Sequence, residues 1–343
     1  MKTIIYWMIV VVLTGVISLQ GGVLGDMTKS GTTAAQFLKI PAGTRGIGMG
    51  GAGVASVNDV SSVYWNPAGM TRLTSSGAFH FSHANWLADL DYNYAGAVVQ
   101  LGIYGCLGFS FTSLSVPDMP VRTEFDQEGT GEFFSAMDMA MGLSYARSLT
   151  DRFAIGITAK YIRQQIWHMT ATTTAIDLGL LFRTDLEWLT LGMAISNFGP
   201  KLQYSGKDLF INYDFNPEEW GDNETIFADL QTDQWDLPLV FRFGLNLELV
   251  NNPIHQVTAS LEARHPNDNS ETISCGAEYG FRKRFFLRGG WDSWNESDSE
   301  KGLTVGGGCI YYLSSSNPVL IDYAYSDWGR LNYVHRFSVE IRF

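Results

Sequence analysis

The sequence predicts an all-β fold: an antiparallel, membrane-spanning β-barrel of about fourteen strands, with a non-alternating segment ahead of it. Three observations carry this expectation. Apolar and polar residues alternate from Ser76 to the C-terminus, the long connections all leave the same side of the sheet, and no apolar run beyond an export leader is long enough for a membrane helix.

The leader comes first. Lys2 gives a short positive end, Ile4–Val12 is almost unbroken apolar sequence, and Val23-Leu24-Gly25 offers a processing site with Asp26 as the first mature residue. No cysteine lies near that site, which excludes lipoprotein processing. An exported chain without a spanning helix can cross a membrane only as a closed barrel, because only closure satisfies every backbone group in lipid. The division expected is therefore a leader at 1–25, an irregular segment at 26–75 and a barrel at 76–343.

The alternation is clearest in residues 237–249. Leu237, Leu239, Phe241, Phe243, Leu245, Leu247 and Leu249 share one face, while Arg242, Gly244, Asn246 and Glu248 share the other. Ile176, Leu178, Leu180 and Phe182 likewise oppose Asp177, Gly179 and Arg183. The same pattern places strands near 76–87, 91–101, 104–116, 137–149, 153–166, 172–184, 188–198, 236–250, 255–265, 271–281, 284–292, 302–313, 318–326 and 332–343. An even count suits a bacterial single-chain barrel.

The connections test this independently. The long ones, 117–136, 199–235 and 292–301, follow the second, fourth and sixth upward strands, and tight turns such as Thr150-Asp151-Arg152 and Arg282-Lys283 lie on the opposite side. A barrel with short turns on one side and long loops on the other requires that parity; a soluble sandwich does not. Those three loops hold seventeen acids and four bases, so they account for the whole net charge of −12. That charge argues against a nucleic-acid partner. Solvation of the loops is the simplest reading of their acidity.

Aromatic residues near strand ends (Trp86, Tyr92, Tyr94, Trp167, Trp188, Trp235, Trp291, Tyr323, Tyr325 and Trp328) fit girdles at the membrane boundary. Cys106, Cys275 and Cys309 each sit in an apolar strand pattern and read as packed or lipid-facing thiols, with one unassignable disulfide left open.

Residues 26–75 do not alternate. Gly48-Met-Gly50-Gly51-Ala-Gly53 formally matches a dinucleotide fingerprint, but no βαβ unit surrounds it. The better reading is a compact segment inside or beneath the barrel, where glycines let backbone approach the wall. Asn66-Pro67 favours a turn, with Pro67 starting a short helix or tight bend.

At this point the residues resemble a family. Gly31–Gly43, Met49-Gly50-Gly51, Trp65-Asn66-Pro67-Ala68-Gly69, Ser82–Tyr92 and Ile195-Ser-Asn-Phe-Gly-Pro200 look like PorV/PorQ family proteins, and the resemblance runs over the whole mature chain. That family is similar to the FadL class of fourteen-stranded outer-membrane barrels. The resemblance implies an N-terminal hatch plugging the lumen, with Asn66, Pro67, Ala68 and Gly69 as its motif. It also implies that the last strand, with Phe337, Val339, Ile341 and the terminal Phe343 on one face, is the signal read by the barrel assembly machinery. The implied location is the outer membrane of a Gram-negative-type bacterium, among phospholipid and lipopolysaccharide. Two roles are implied: type IX secretion or surface attachment of cargo carrying C-terminal sorting domains, or transport of hydrophobic small molecules. A purely structural barrel or adhesin is a third class.

No catalytic, metal or cofactor site is expected. His80 and His83 are three apart on a strand, which sends them to opposite faces, and neither Gly-x-Ser-x-Gly nor His-Glu-x-x-His occurs. Asp89 and Asp91 read as solvated loop carboxylates. Asp177, Arg183, Arg242, Glu248, Glu262, Arg264, Glu278 and Arg288 fall on the lumen face, where pairing is needed because unpaired charges there are destabilising.

Overall fold

A computed structural model describes residues 29–214, 218, 226–296, 299–312 and 317–343. The expected leader lies outside these residues. Fourteen strands form one wall. The first seven are β1 (Gly77–Trp86), β2 (Leu90–Gln100), β3 (Cys106–Ser115), β4 (Ala136–Ser148), β5 (Phe153–Ile166), β6 (Met169–Arg183) and β7 (Leu189–Phe198). The rest are β8 (Val240–Asn251), β9 (His255–Pro266), β10 (Thr272–Phe281), β11 (Phe285–Trp291), β12 (Leu303–Tyr312), β13 (Pro318–Asp327) and β14 (Tyr333–Arg342).

Every strand pairs antiparallel with its chain neighbours, and β14 returns to β1 with Ala78 opposite Arg342 and Ala84 opposite Arg336, so the sheet closes. Gly77 and Phe343 exchange both backbone hydrogen bonds, each 2.9 Å, at the closing seam. At one end, called here the turn end, no connection exceeds five residues; the three long connections all leave the other, the loop end. Two of the long loops carry short hairpins, Met119–Pro120 with Phe133–Phe134 and Phe210–Tyr213 with Ile226–Asp229.

The wall is inside-out relative to a soluble protein. Phe79, Phe81, Leu143, Leu178, Leu287, Phe337, Val339 and Ile341 point outward and are exposed, whereas His80, Ser82, Asp177, Glu262, Glu278, Arg336, Ser338 and Glu340 point inward and are buried. Phe337 is 59% exposed while its neighbour Arg336 is 2% exposed. A belt of exposed apolar side chains on every strand, over a buried polar interior, is the surface a hydrocarbon layer solvates. His80 and His83 fall on opposite faces, as their spacing requires. Cys275 and Cys309 lie on the outer face, Cys106 is buried inside, and all three are free thiols.

Two expectations need correction. Leu237 and Leu239 are not part of β8, which begins at Val240; Pro238 between them removes a ladder donor, and Leu237 instead turns inward and is buried with Phe37, Leu202 and Tyr92. Trp86, Tyr92, Tyr94 and Trp328 are not girdle residues. Tyr92 and Tyr94 are fully buried in the lumen, and Trp86 and Trp328 pack edge to face 5.2 Å apart against the same cluster. Aromatic residues near a strand end have two faces to choose from, and period-two parity sends these inward.

The Ile195–Pro200 motif sits where the ladder breaks. Register shifts between Ile176 and Leu178, and Asn197 turns into the left-handed region at φ 65°. The released groups are re-bonded by side chains: the Asn197 amide donates to Asp177 Oδ1 at 2.8 Å, Asn197 Nδ2 donates to the Pro238 carbonyl at 3.0 Å, and Lys160 Nζ lies 2.5 Å from Asp177 Oδ2. Asn tolerates this φ better than most residues.

Burial of Val339 in hydrocarbon generates a prediction. Val339→Arg, near mid-strand on the outer face, lowers folding stability by about 2–4 kcal/mol in denaturant titrations in lipid vesicles. Val339→Leu, which keeps an apolar side chain there, leaves it within about 1.5 kcal/mol. Equal effects of the two would contradict the assignment of that face to lipid.

Candidate functional site

Residues 29–76 fill the lumen with short helical turns, Gln36–Lys39, Arg45–Gly48, Ser62–Trp65 and Pro67–Arg72, joined by irregular chain. Turns in which the Gly48 amide donates to the Thr44 carbonyl, or the Asn66 amide to the Ser62 carbonyl, satisfy many of its amides internally, and those left over must find partners in the wall. They do. Glu262 Oε2 accepts the Val54 amide at 2.8 Å, Glu340 Oε2 accepts the Val60 amide at 3.0 Å, Thr304 Oγ1 accepts the Gly50 amide at 2.9 Å, and Gln164 Oε1 accepts the Ala35 amide at 3.1 Å.

The Asn-Pro-Ala-Gly motif is seated on two wall glycines. Asn66 caps the Pro67–Arg72 turn by accepting the Ala68 amide at 3.1 Å, with Pro67 at the first helical position where no donor is needed. Asn66 Nδ2 also donates to the Val54 and Leu180 carbonyls at 2.9 Å each, so one side chain ties the turn, the hatch and β6 together. A Cβ at Gly179 would lie 2.1 Å from Asn66 Oδ1, and one at Gly156 would lie 2.4 Å from the Ala68 nitrogen. Gly69 packs on Ser62 in the same way. The motif therefore brings Asn66, Pro67, Ala68 and Gly69 to one place. Phe337, Val339, Ile341 and Phe343 form a separate row on the outer wall.

The apparent dinucleotide glycines serve the same purpose. Gly50, at φ +69°, lies against Gly290, where any Cβ would meet its nitrogen at 2.3 Å, and Met49 lies against Gly276.

Charge holds the middle of the hatch. Arg45 makes a fork onto Glu278, 3.0 Å from Nε to Oε2 and 2.7 Å from Nη2 to Oε1, and Arg288 Nε donates to the same carboxylate at 2.6 Å. Arg288 continues to Asp322 at 2.5 Å. Arg242 lies over the rings of Tyr64 and Trp65 at 5.0 and 5.2 Å and donates to the Tyr64 hydroxyl. Arg264 pairs with Asp292, and Arg336 donates to the Pro41 carbonyl. Of the lumen charges expected, Asp177, Arg242, Glu262, Arg264, Glu278 and Arg288 are drawn into contacts with one another, the hatch or the loop base. Arg183 and Glu248 lie nearer the turn end, where Glu248 is 3.8 Å from Arg72.

The start of the hatch reaches the loop end. Thr33 bridges to Asp236 of the loop after β7, and Thr33, Gln36 and Lys39 all bond Asp268, in the loop after β9, at 2.6–3.0 Å. Burial pushes the Asp268 carboxyl up, but these donors outweigh it and hold it below the usual carboxylate range. The chain thus passes through the lumen from the loop end to Gly77 at the turn end. Neither Arg45 nor the Asp268 anchor was signalled by alternation, since the hatch has no period; a cation count for the hatch against lumen acids is the one available clue.

The loop-end half of the lumen retains little space, while a polar recess of about 310 Å³ opens at the turn end. Two cavities between hatch and wall measure about 30 and 20 Å³, each large enough for about one water. Larger hollows of about 800 and 450 Å³ lie on the outer face between apolar side chains such as Phe109, Leu143 and Ile176, and Ile157, Leu178 and Met193. Among the described residues no group of three or more His, Cys, Asp and Glu is placed to hold a metal ion.

With this geometry in hand, comparisons place the chain. The model of the type IX secretion system protein PorV matches residues 25–218, more than half of the chain. The chain belongs to the PorV family. Comparison with curated protein sequences gives no significant match. Among solved structures, this PorV-family chain is similar to the CymD monoaromatic hydrocarbon channel, at 12% identity and TM-score 0.56, covering 88% of this chain and 96% of that one. It is also similar to the Ralstonia pickettii toluene transporter TbuX, at 12% identity and TM-score 0.53, covering 88% and 98%. A Pseudomonas aeruginosa FadL homologue gives 12% identity, TM-score 0.51, and coverage of 88% and 98%. At such identities the likeness is one of fold: the PorV-family chain is a closed FadL-like barrel with fourteen strands.

Two predictions follow from the hatch contacts. Gly179→Leu displaces Asn66 and the Pro67–Arg72 turn, raising amide exchange of residues 66–72 at least about tenfold, whereas Gly289→Ala, whose Cβ meets nothing closer than 4.0 Å, leaves that exchange unchanged. Matching exchange in the two variants would exclude Gly179 as the seat of the motif. The second concerns pH. Because Asp268 titrates below its unfolded value of about 3.9, its contribution is full above that pH and disappears as pH falls through the lower folded value. Protection of residues 29–40 therefore holds from pH 7 to about 5 and is lost on further acidification, and Asp268→Asn abolishes this dependence. Constant protection down to pH 2 in the parent protein would refute the anchor.

Proposed function

We propose that this barrel sits in the outer membrane and works in type IX secretion or surface attachment as a plugged scaffold, not as a conduit. The observation that supports the reading is the filled loop-end half of the lumen: hollows there of about 20–30 Å³ stand against the roughly 300–1,000 Å³ that small-molecule sites occupy, and a larger recess of about 310 Å³ at the turn end is polar and unsuited to a hydrophobic molecule. The hatch is also fixed along its whole path, by Asp268 at one end, Glu278 and Glu262 in the middle, and Gly156 and Gly179 near the other. The working surface is then the loop end, with its two hairpins and acidic loops, engaging secretion-system components and cargo with C-terminal sorting domains. Residues 1–25 are proposed as a removed leader, 26–75 as the hatch with its Asn66–Gly69 motif, and 76–343 as the barrel. Lipid and lipopolysaccharide surround the apolar belt, and Phe337, Val339, Ile341 and Phe343 form the signal for the barrel assembly machinery. No catalytic role is proposed.

Transport of hydrophobic small molecules is the competing role, and it draws on the fold shared with the toluene transporter. It requires the hatch to leave its seat. Deletion of the gene is expected to strand sorting-domain cargo inside the cell while toluene uptake by intact cells stays at the parental rate. Normal surface display together with reduced uptake would reverse the assignment.

A further inference from the structure

The turn end of the lumen carries a feature that neither reading uses. Beneath the last turn of the hatch lies a hollow of about 310 Å³, lined by Arg72, Arg152 and Arg183. Neutral groups fill in around them, among them Asn58, Thr150 and Thr190. Its wall is polar, in contrast to the apolar hollows on the outer face.

The three guanidinium groups are held to different degrees. Arg152 is paired with Asp185, and Arg72 donates to the Ala55 carbonyl at 2.9 Å while its nearest carboxylate, Glu248, is 3.8 Å away. Arg183 has no carboxylate within 4.0 Å among the described residues, and its charge and that of Arg45 act repulsively on Arg72. Asp151 is the one acid in the lining. The turns beside the recess carry Asp151, Asp185 and Glu187 as well as Arg152, and the Arg282-Lys283-Arg284 turn lies farther along the same rim. Guanidinium forks converging with hydroxyl and amide groups on a recess are suited to bind the oxygens of an anion.

We propose that this recess is a binding site for a phosphate-bearing anion entering from the turn end, with Arg183 as its principal ligand and Arg72 and Arg152 flanking it. The recess is larger than a bare phosphate needs and admits the size of a phosphorylated headgroup. Among the described residues nothing else holds the Arg183 guanidinium, which leaves it open to a bidentate grip. Thr150 and Thr190 supply hydroxyls for the remaining oxygens.

The test uses the whole mature barrel, purified in a maltoside detergent that carries no phosphate. Calorimetric titration with inorganic phosphate and with glycerol phosphate, at ionic strength held constant with chloride, is expected to give saturable binding in the millimolar range for at least one of them. Arg183→Gln is expected to weaken it by about tenfold or more, whereas Arg284→Gln, farther along the same rim, leaves it unchanged. An unaltered gel-mobility shift on heating confirms that each variant still forms the barrel. Tighter binding of glycerol phosphate than of phosphate identifies a lipid headgroup as the source; the reverse identifies the free ion. Absence of saturable binding for both, or equal losses in Arg183→Gln and Arg284→Gln, overturns the site.

Discussion

Everything in this molecule depends on how the hatch satisfies the inner wall, and the wall the hatch. An irregular chain buried in a barrel would strand its amides, and a strand wall carrying Glu262, Glu278, Glu340 and Arg288 inward would strand its charges. Each is tolerable only because the other is there. Glu262 and Glu340 take hatch amides, Glu278 takes Arg45, and Arg336 takes the Pro41 carbonyl. Such pairs stabilise little relative to an apolar core, but removing one partner is expensive, so the arrangement specifies one position of the plug more than it adds net stability.

Glycine supplies the other half of this complementarity. Gly156, Gly276 and Gly290 are wall positions where the hatch backbone itself makes the contact, and Gly179 receives the Asn66 and Pro67 side chains. The wall therefore recognises the path of the hatch by shape and its midpoint by charge. Apolar packing adds to both, since Phe37, Leu38, Val63, Trp65 and Met70 are buried in clusters that include wall residues.

The barrel was almost entirely legible in the sequence because period two is a strong, repeated signal and closure forces an even count. The strand boundaries read from alternation fall within a few residues of those observed, and the parity of the long loops holds. What failed was assignment of face where parity and chemistry disagree: Tyr92 and Tyr94 look like girdle residues yet pack on the plug, and Leu237 continues an apolar series across Pro238 although the strand begins after it. The hatch was legible only as an absence of period with an Asn-Pro turn. Its partners are set by contacts between residues more than a hundred positions apart, such as Asn66 with Leu180 and Arg45 with Glu278, and no local pattern encodes them.

The seam between Gly77 and Phe343 has a consequence for how the molecule is made. The residue directly after the hatch is hydrogen-bonded to Phe343, and a Cβ at Gly77 would lie 2.6 Å from the Phe343 ring. The wall is therefore a ring that closes only through β14, while the segment it encloses precedes every strand of the wall in the chain. A plug threaded from the loop end to the turn end is more readily enclosed than inserted, because insertion would drag Arg45 and Lys39 through a finished lumen. Folding order is thus written into connectivity: the contents are laid down before the container is sealed, and the same residue that seals it stands next to the contents.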